Sequence, residues 1–206
     1  MIKAVLVDVD GVLVNGRPAD GLHWGIGLEA DLGLPFGALQ SSLFQRHWEE
    51  IIVGRAGLRD CLTAVLAEIA PALTSERILD YWFRNDSRLD LRLLDDLGAV
   101  RTAGIVVYLA TNQEHLRAHY IMEILGLGKH VDGCFYSAAL GVRKPWPGFF
   151  ETVLRRISMR ADQLLLIDDA EDNIRAAAEA GWCAALWTGR ERLPEIVTRA
   201  CPREQV

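Results

Sequence analysis

Features that would direct a protein to a membrane or to an oxidising compartment are missing from this sequence. No uncharged apolar run approaches the length of a bilayer span. Met1 leads directly into an apolar segment rather than into a signal peptide. The cysteines are scattered and form no Cys-x-x-Cys pair: Cys61, Cys134, Cys183 and Cys201. We therefore predict a soluble, cytoplasmic protein with free thiols and no membrane partner.

Positive charge is also scarce. The 206 residues carry 22 Lys and Arg against 28 Asp and Glu, which gives a net charge of −6. Lysine occurs only at positions 3, 129 and 144. Proteins that coat nucleic acid need a broad basic face, so this balance argues against a nucleic-acid partner. A small phosphorylated ligand needs only one local positive pocket and stays compatible with the composition.

Apolar runs and helix-like segments alternate along the chain. Half of the residues are hydrophobic, which is enough for a sizeable core. Short apolar runs bounded by turn residues predict five strands, at 2–7, 105–110, 134–136, 163–167 and 183–187. The alternation predicts an α/β fold with a Rossmann-like three-layer core, in which a parallel sheet carries helices on both faces.

The region from about residue 20 to residue 85 contains no convincing strand. Helical apolar spacing occurs in three segments there: 21–32, 39–53 and 58–69. Ser75 is predicted as the N-cap of a further helix over 76–83. We therefore predict a core domain of residues 1–14 and 86–206, with a small all-helical domain of residues 15–85 inserted after the first strand.

Asp8 and Asp10 follow the first predicted strand, and Gly11 comes next. Ligands of open α/β sheets bind outside the carboxyl ends of the strands, where these carboxylates are expected to lie. One carboxylate can act as a nucleophile, the other can move a proton, and together they attract a divalent cation. The alternative is an acidic turn without function, since Asp and Gly favour turns.

Polar residues also follow the second and third predicted strands. Thr111 and Asn112 offer a hydroxyl group and backbone N–H groups that can cradle a phosphate. Alternatively, one of them caps the helix that begins near Glu114. Lys144 precedes a proline, and its ammonium could reach across the sheet edge to balance carboxylates and a phosphate. The alternative is an ordinary solvated lysine.

Asp168 and Asp169 follow the fourth predicted strand, with Asn173 shortly after. Adjacent carboxylates repel each other unless a cation or hydrogen bonds hold them. Hard oxygen donors gathered at one sheet edge are the ligands that Mg²⁺ prefers. The alternative is an acidic first turn of the helix that follows.

These four segments, in this order, resemble the motifs of the haloacid dehalogenase-like hydrolase superfamily. The resemblance is carried by "DVDGVLV", "LATNQ", "RKPWPGFF" and "LLIDDAEDNIRAAAEAG". It is strongest for the subgroup with a helical cap after the first motif, which includes sugar-phosphate phosphatases and the N-terminal phosphatase domains of some epoxide hydrolases. The inserted helical domain would then be the cap.

The resemblance implies roles for the two carboxylates of the first motif. Asp8 would be the nucleophile and form an aspartyl-phosphate. Asp10 would protonate the leaving alkoxide and then activate water. Mg²⁺ would be held by the Asp8 carboxylate, the Asp10 backbone carbonyl and Asp169.

The remaining motifs would bind the phosphoryl group and support the metal site. By the same resemblance, Thr111, the backbone of Asn112 and Lys144 would hold the phosphoryl oxygens. Asp168 and Asn173 would lie behind the direct metal ligands.

Asp10 favours phosphoryl transfer, because the dehalogenases of this superfamily lack an acid at that position. The sequence therefore predicts a Mg²⁺-dependent phosphatase for a small phosphorylated metabolite, acting as a monomer or a homodimer. A phosphomutase or phosphotransferase is the alternative enzyme, and a haloacid dehalogenase or a non-catalytic binding domain is less favoured. Arg55 in the cap is a candidate substrate contact or a surface arginine. The cap tryptophans are expected in its core or at the substrate: Trp24, Trp48 and Trp82.

Overall fold

The computed structural model describes residues 1–200, and its centre is a sheet of five parallel strands. The strand order is β3-β2-β1-β4-β5, so the first strand lies in the middle. The strands are β1 (Ala4–Val7), β2 (Val106–Thr111), β3 (Gly133–Tyr136), β4 (Leu164–Asp168) and β5 (Cys183–Leu186). All five predicted strands are present, and the parallel α/β prediction is confirmed. Cys201 lies outside the described residues.

The helices fall into two groups along the chain. Five follow β1 in a segment without strands and precede α6: α1 (Leu28–Leu32), α2 (Phe36–Leu39), α3 (Gln45–Ile51), α4 (Leu58–Ile69) and α5 (Ser75–Asn85). The others alternate with the strands: α6 (Leu91–Thr102), α7 (His115–His119), α8 (Ser137–Leu140), α9 (Pro147–Ile157), α10 (Glu171–Glu179) and α11 (Leu193–Ala200). Shorter 3₁₀ and π turns are Trp24–Gly27, Gln40–Phe44, Tyr120–Ile124, Leu127–Lys129 and Ala161–Gln163.

Both faces of the sheet are buried, which explains why its strands are almost continuously apolar. Successive side chains of a strand point to opposite faces. Val5 and Val7 pack in the cluster that includes residues of α6 and α11. Ala4 and Leu6 pack on the other side, with residues of α9 and α10. Helices therefore cover both faces, as the sequence predicts.

The inserted helices build a small core of their own, rich in aromatic rings. Trp24 and Trp82 stack with ring centroids 5.0 Å apart, and both are buried. Phe44 and Trp48 extend the cluster and are half-buried. Such a core holds the short helices together, because none of them is long enough to be stable alone.

The chain enters and leaves this helical insert at one place. The N–H of Asn15 donates to the carbonyl of Arg88 at 2.8 Å, and the N–H of Arg88 donates to the carbonyl of Gly16 at 3.0 Å. Val14 also pairs with Leu89 in an isolated antiparallel bridge. The predicted division at residues 14 and 86 stays a prediction, and these paired segments are where the chain crosses between the two parts.

Two predicted helix caps are wrong. Thr74, not Ser75, caps α5, because its side chain accepts from the N–H of Arg77. Glu114 caps α7 with its own carboxylate, so neither Thr111 nor Asn112 does so. No helix within residues 1–200 is both long and apolar enough to cross a membrane.

Candidate active site

Two carboxylates and an ammonium meet at the carboxyl edge of the central strands. Asp8 follows β1, and Asp168 ends β4, the parallel neighbour of β1. The Nζ atom of Lys144 lies 3.1 Å from Oδ2 of Asp8 and 2.5 Å from Oδ2 of Asp168. Lys144 is only 1% exposed, so the solvated-lysine alternative is wrong.

Burial and the neighbouring charges together set the ionisation of Lys144 and Asp8. Burial alone lowers the pKa of Lys144, but the neighbouring Asp8 and Asp168 outweigh it and raise that pKa above its ordinary value. Burial raises the pKa of Asp8, while the Lys144 ammonium opposes the rise. The lysine therefore stays charged and favours the carboxylate form of Asp8.

Asn112 holds the loop that carries Lys144. Its Nδ2 atom donates to the carbonyl of Lys144 at 3.0 Å, and its Oδ1 atom accepts from the Lys144 N–H at 2.8 Å. Thr111 ends β2, the other neighbour of β1, and is 2% exposed. The two predicted phosphate-binding segments are thus joined at the sheet edge by the Asn112 side chain.

A cation site can form between the acidic side chains. Asp8, Asp168 and Asp169 each bring a carboxylate oxygen within 4.8 Å of the others. Asp168 is already engaged, since its Oδ1 accepts from Asn173 Nδ2 and from the N–H of Ala170, both at 2.9 Å. Asp169 is exposed and therefore available to a metal. Asp169 as a direct metal ligand, with Asp168 and Asn173 as supports, stays a prediction.

Gly11 leaves the space that Asp169 occupies. A β-carbon on Gly11 would lie 2.1 Å from Oδ2 of Asp169, and the φ of Gly11 is +80°. The first and fourth motifs therefore approach each other only because this residue has no side chain. Hard oxygen donors gathered in this way suit Mg²⁺. Asp168 and Asp169 precede α10, whose acidic first turn consists of Glu171 and Asp172, so they are not part of that turn.

Asp10 lies beside this cluster, two residues after Asp8. Its side chain is 53% exposed. The protein around it takes part of its water away, and this desolvation raises the pKa of Asp10 to about 6. Gln113 Nε2 donates to its Oδ2 atom. Arg117 Nη2 lies 3.9 Å from its Oδ1 atom, and the Arg117 charge opposes the rise in the pKa. Asp10 is therefore placed to exchange protons near neutral pH.

Sequence reasoning missed Gln113 and Arg117. Arg117 is 2% exposed and Gln113 is 4% exposed, although both residue types are usually at the surface. Their burial depends on contacts with segments far away in the sequence. The one local signal is the position of Gln113 directly after Asn112, at the carboxyl end of β2.

The insert contacts the core close to these residues. The Ser137 hydroxyl donates to the carbonyl of Ile52, and Arg143 Nη2 lies 2.9 Å from a carboxylate oxygen of Glu49. Arg55 pairs with Glu50 at 2.7 Å on the exposed surface of the insert, as its surface alternative predicts. Trp24 and Trp82 belong to the core of the insert.

Comparison with known proteins identifies the family. The family model for haloacid dehalogenase-like hydrolases matches residues 2–181. A sesquiterpene phosphatase of Aspergillus oryzae is 27% identical over 181 residues, which are 87% of this chain and 86% of that protein. A phosphoglycolate phosphatase of Rhodospirillum rubrum is 28% identical over 193 residues, covering 88% of this chain and 77% of that protein.

Solved structures share the fold. A family enzyme of Bacteroides thetaiotaomicron, crystallised with magnesium and inorganic phosphate, superposes with a TM-score of 0.77 at 19% identity, covering 95% of this chain and 99% of that one. L-2-haloacid dehalogenase from Xanthobacter autotrophicus has a TM-score of 0.65 at 17% identity, covering 96% of this chain and 81% of that one. The family model spans most of the chain, and the protein therefore belongs to the haloacid dehalogenase-like hydrolases.

Proposed function

We propose that this protein is a magnesium-dependent phosphatase that hydrolyses a small phosphomonoester, such as a sugar phosphate, through an aspartyl-phosphate on Asp8. The supporting observation is the buried Lys144 ammonium, 3.1 Å from the Asp8 carboxylate at the sheet edge. A fixed positive charge in that place can bind the phosphoryl group with which the carboxylate reacts. Two relatives are named phosphatases, which supports the same reaction class.

Asp8 acts first in the proposed mechanism. A carboxylate oxygen of Asp8 forms a bond to phosphorus while the bond from phosphorus to the leaving oxygen breaks. Lys144, the Thr111 hydroxyl and the Asn112 backbone bind the phosphoryl oxygens. The transition state of phosphoryl transfer is loose and highly charged, so these fixed charges and donors supply much of the catalysis.

Asp10 carries out both proton transfers. In its protonated form it gives a proton to the leaving alkoxide, and the resulting carboxylate then takes a proton from water. That water attacks the phosphorus of the aspartyl-phosphate, which releases inorganic phosphate and restores Asp8. A pKa of about 6 allows both forms of Asp10 to be populated near neutral pH.

The donor set fits magnesium. The Asp8 carboxylate, the Asp10 backbone carbonyl and Asp169 would hold the ion, supported by Asp168 and Asn173. Bound there, Mg²⁺ would neutralise negative charge on the phosphoryl oxygens and on Asp8. The relative from Bacteroides thetaiotaomicron, whose fold is shared, was crystallised with magnesium.

Phosphate release from about a hundred phosphorylated metabolites, measured with Mg²⁺, tests this function directly. We expect turnover of at least one small phosphomonoester, its loss in EDTA and its recovery when Mg²⁺ is returned. Full activity in the metal-free protein would contradict the metal requirement. Transfer of the phosphoryl group to a second sugar rather than to water would identify a phosphomutase or phosphotransferase instead.

The setting of this reaction is also part of the proposal. A small phosphorylated metabolite in the cytoplasm is the proposed substrate, and the enzyme is proposed to act as a monomer or a homodimer. The net charge of −6 supports a small ligand over nucleic acid. Light scattering of the eluted protein tests the oligomeric state.

A further inference from the structure

A buried arginine lies behind Asp10. Arg117 in α7 is 2% exposed, and its guanidinium packs over the rings of Phe83 and Tyr120, 5.4 Å and 5.6 Å from their centroids. Charged side chains are almost never buried so completely unless they are paired. The partners of this guanidinium therefore indicate what the residue does.

The first partners belong to the C-terminal end of α5, where the chain turns back from the insert to the core. Arg117 donates to the carbonyl oxygen of Phe83 at 3.3 Å and to that of Asp86. Carbonyls in the last turn of a helix lack partners within the helix, and a cation is favoured there. The guanidinium also lies 3.4 Å from the Asp86 carboxylate. Arg117 thus fastens this return segment to α7.

The second partner is Asp10, whose two oxygens each face a donor that is itself buried. Arg117 Nη2 is 3.9 Å from Oδ1, and Gln113 Nε2 donates to Oδ2. Gln113 is fixed in turn, because its backbone carbonyl accepts from the N–H of Ala138 at 3.1 Å. One oxygen of the Asp10 carboxyl therefore accepts a hydrogen bond from Gln113, and the other faces the Arg117 charge at ion-pair distance.

We infer that Gln113 and Arg117 are positioning residues that hold the Asp10 carboxyl in the orientation needed for proton transfer, and that Arg117 makes this orientation depend on the return segment of the insert. The inference rests on the proposed role of Asp10 as proton donor. Neither residue has to touch the substrate. Proton transfer is sensitive to small displacements of the acid, so the position of the Asp10 carboxyl has a direct effect on rate.

The chemistry of arginine suits this role. A planar guanidinium presents five donors at fixed angles and can meet two carbonyls and two carboxylates at once. A lysine ammonium would keep the charge but could not span the same partners. Arg117→Lys therefore separates the geometric contribution from the charge. Gln113→Met keeps the approximate length of the side chain and removes its amide, including the Nε2 donor to Asp10.

The test is the dependence of kcat/KM on the leaving group. Wild type, Asp10→Asn, Gln113→Met and Arg117→Lys are assayed with saturating Mg²⁺ on p-nitrophenyl phosphate and on an alkyl phosphate that the wild type hydrolyses. Nitrophenolate leaves without a proton, whereas an alkoxide needs one. We expect Gln113→Met and Arg117→Lys to lose about 10- to 100-fold on the alkyl ester but less than about threefold on the nitrophenyl ester.

The outcomes separate this inference from the proposed function. If Asp10→Asn itself loses activity equally on both esters, Asp10 is not the proton donor and the inference is overturned with that role. If Asp10→Asn discriminates strongly while both positioning variants keep the wild-type ratio, only the inference is overturned. Equal losses on both esters in the positioning variants would mean a merely structural role and would also overturn it.

Three further variants complete the design. Glu49→Gln breaks the Arg143–Glu49 ion pair between insert and core without touching Asp10, and should keep the wild-type ratio. Arg155→Lys makes the same chemical change as Arg117→Lys at an exposed site of α9, and should also keep the wild-type ratio.

Asp86→Asn removes the carboxylate that Arg117 meets in the return segment, and should shift the ratio in the direction of Arg117→Lys. If Arg117→Lys does not fold, Gln113→Met and Asp86→Asn decide the two parts of the inference.

Discussion

Gly11 and Asp169 occupy adjoining space so closely that a β-carbon on the glycine would lie 2.1 Å from a carboxylate oxygen of the aspartate. One residue follows the central strand, and the other follows its neighbour β4. The contact therefore sets how near the fourth motif comes to Asp8. It also means that the position of Asp169 can be disturbed without changing any acidic residue.

Gly11→Ala should raise the Mg²⁺ concentration needed for half-maximal activity by about tenfold or more, because a displaced ligand binds its metal more weakly. The measurement is activity titrated with Mg²⁺. Gly104→Ala is the matched control, since Gly104 has a similar φ of +82° and open space around its β-carbon position. The control should lose stability from backbone strain but keep the wild-type Mg²⁺ requirement. Equal requirements in both variants would show that Gly11 does not control the metal site.

Asp8→Asn should abolish turnover while leaving the fold intact. An amide cannot attack phosphorus as a carboxylate does. The Lys144–Asp168 pair, at 2.5 Å, remains to balance the buried ammonium. Phosphate release is the assay, and circular dichroism checks the fold. Activity above about one per cent of wild type would contradict covalent catalysis by Asp8.

Asp169→Ala and Asp168→Ala should fail in different ways. Asp169 is exposed, so its loss should weaken Mg²⁺ binding with little effect on unfolding measured in EDTA. Asp168 is fully buried between Lys144 and Asn173, and removing it should cost about 3–5 kcal/mol in that assay. Thermal unfolding without metal and Mg²⁺ titration of activity separate the two effects. The reverse pattern would mean that Asp168 is the direct ligand.

Much of the core could be predicted from the sequence, because its signals are local. Each strand is a short apolar run between turn residues, and the helix Leu58–Ile69 begins and ends where its apolar pattern does. The predicted helix over 39–53 is instead three pieces, with a π turn at Gln40–Phe44. Helical periodicity does not distinguish a regular helix from one with an extra residue in a turn.

The candidate site also contains residues that local sequence signals predict and residues that they do not. The carboxylates lie next to strands, so their meeting at one edge follows from parallel topology. Lys144 is different, because its position before a proline allowed its ammonium to reach the sheet edge but did not distinguish it from a solvated lysine. Arg117 could not be found at all, since the partners that bury it, at Phe83 and Asp86, lie more than thirty residues earlier in the chain.

Asp96 supplies a stability prediction independent of catalysis. It is fully buried in α6 and accepts from Arg192 Nε at 2.8 Å and from the N–H of Leu193 at 2.9 Å, which ties α6 to the start of α11. Burial alone raises the pKa of Asp96, but these hydrogen bonds outweigh it and lower that pKa below its usual value. A carboxyl group with a lowered pKa in the folded state binds protons more readily when unfolded. Its contribution to stability is therefore present above about pH 4 and is lost as the pH falls through the folded pKa.

Asp96→Asn should lower the free energy of unfolding at pH 7 by about 1–3 kcal/mol, because charge-assisted hydrogen bonds become neutral ones. The difference from wild type should shrink below about pH 4, since the wild-type carboxyl group is then increasingly protonated as well. Urea unfolding of both proteins in EDTA at several pH values measures this difference. Asp95→Asn is the control, because Asp95 is the exposed neighbour and its loss should change stability little at any pH. A difference that stayed constant from pH 7 to pH 3 would show that Asp96 stabilises the fold by packing rather than by charge.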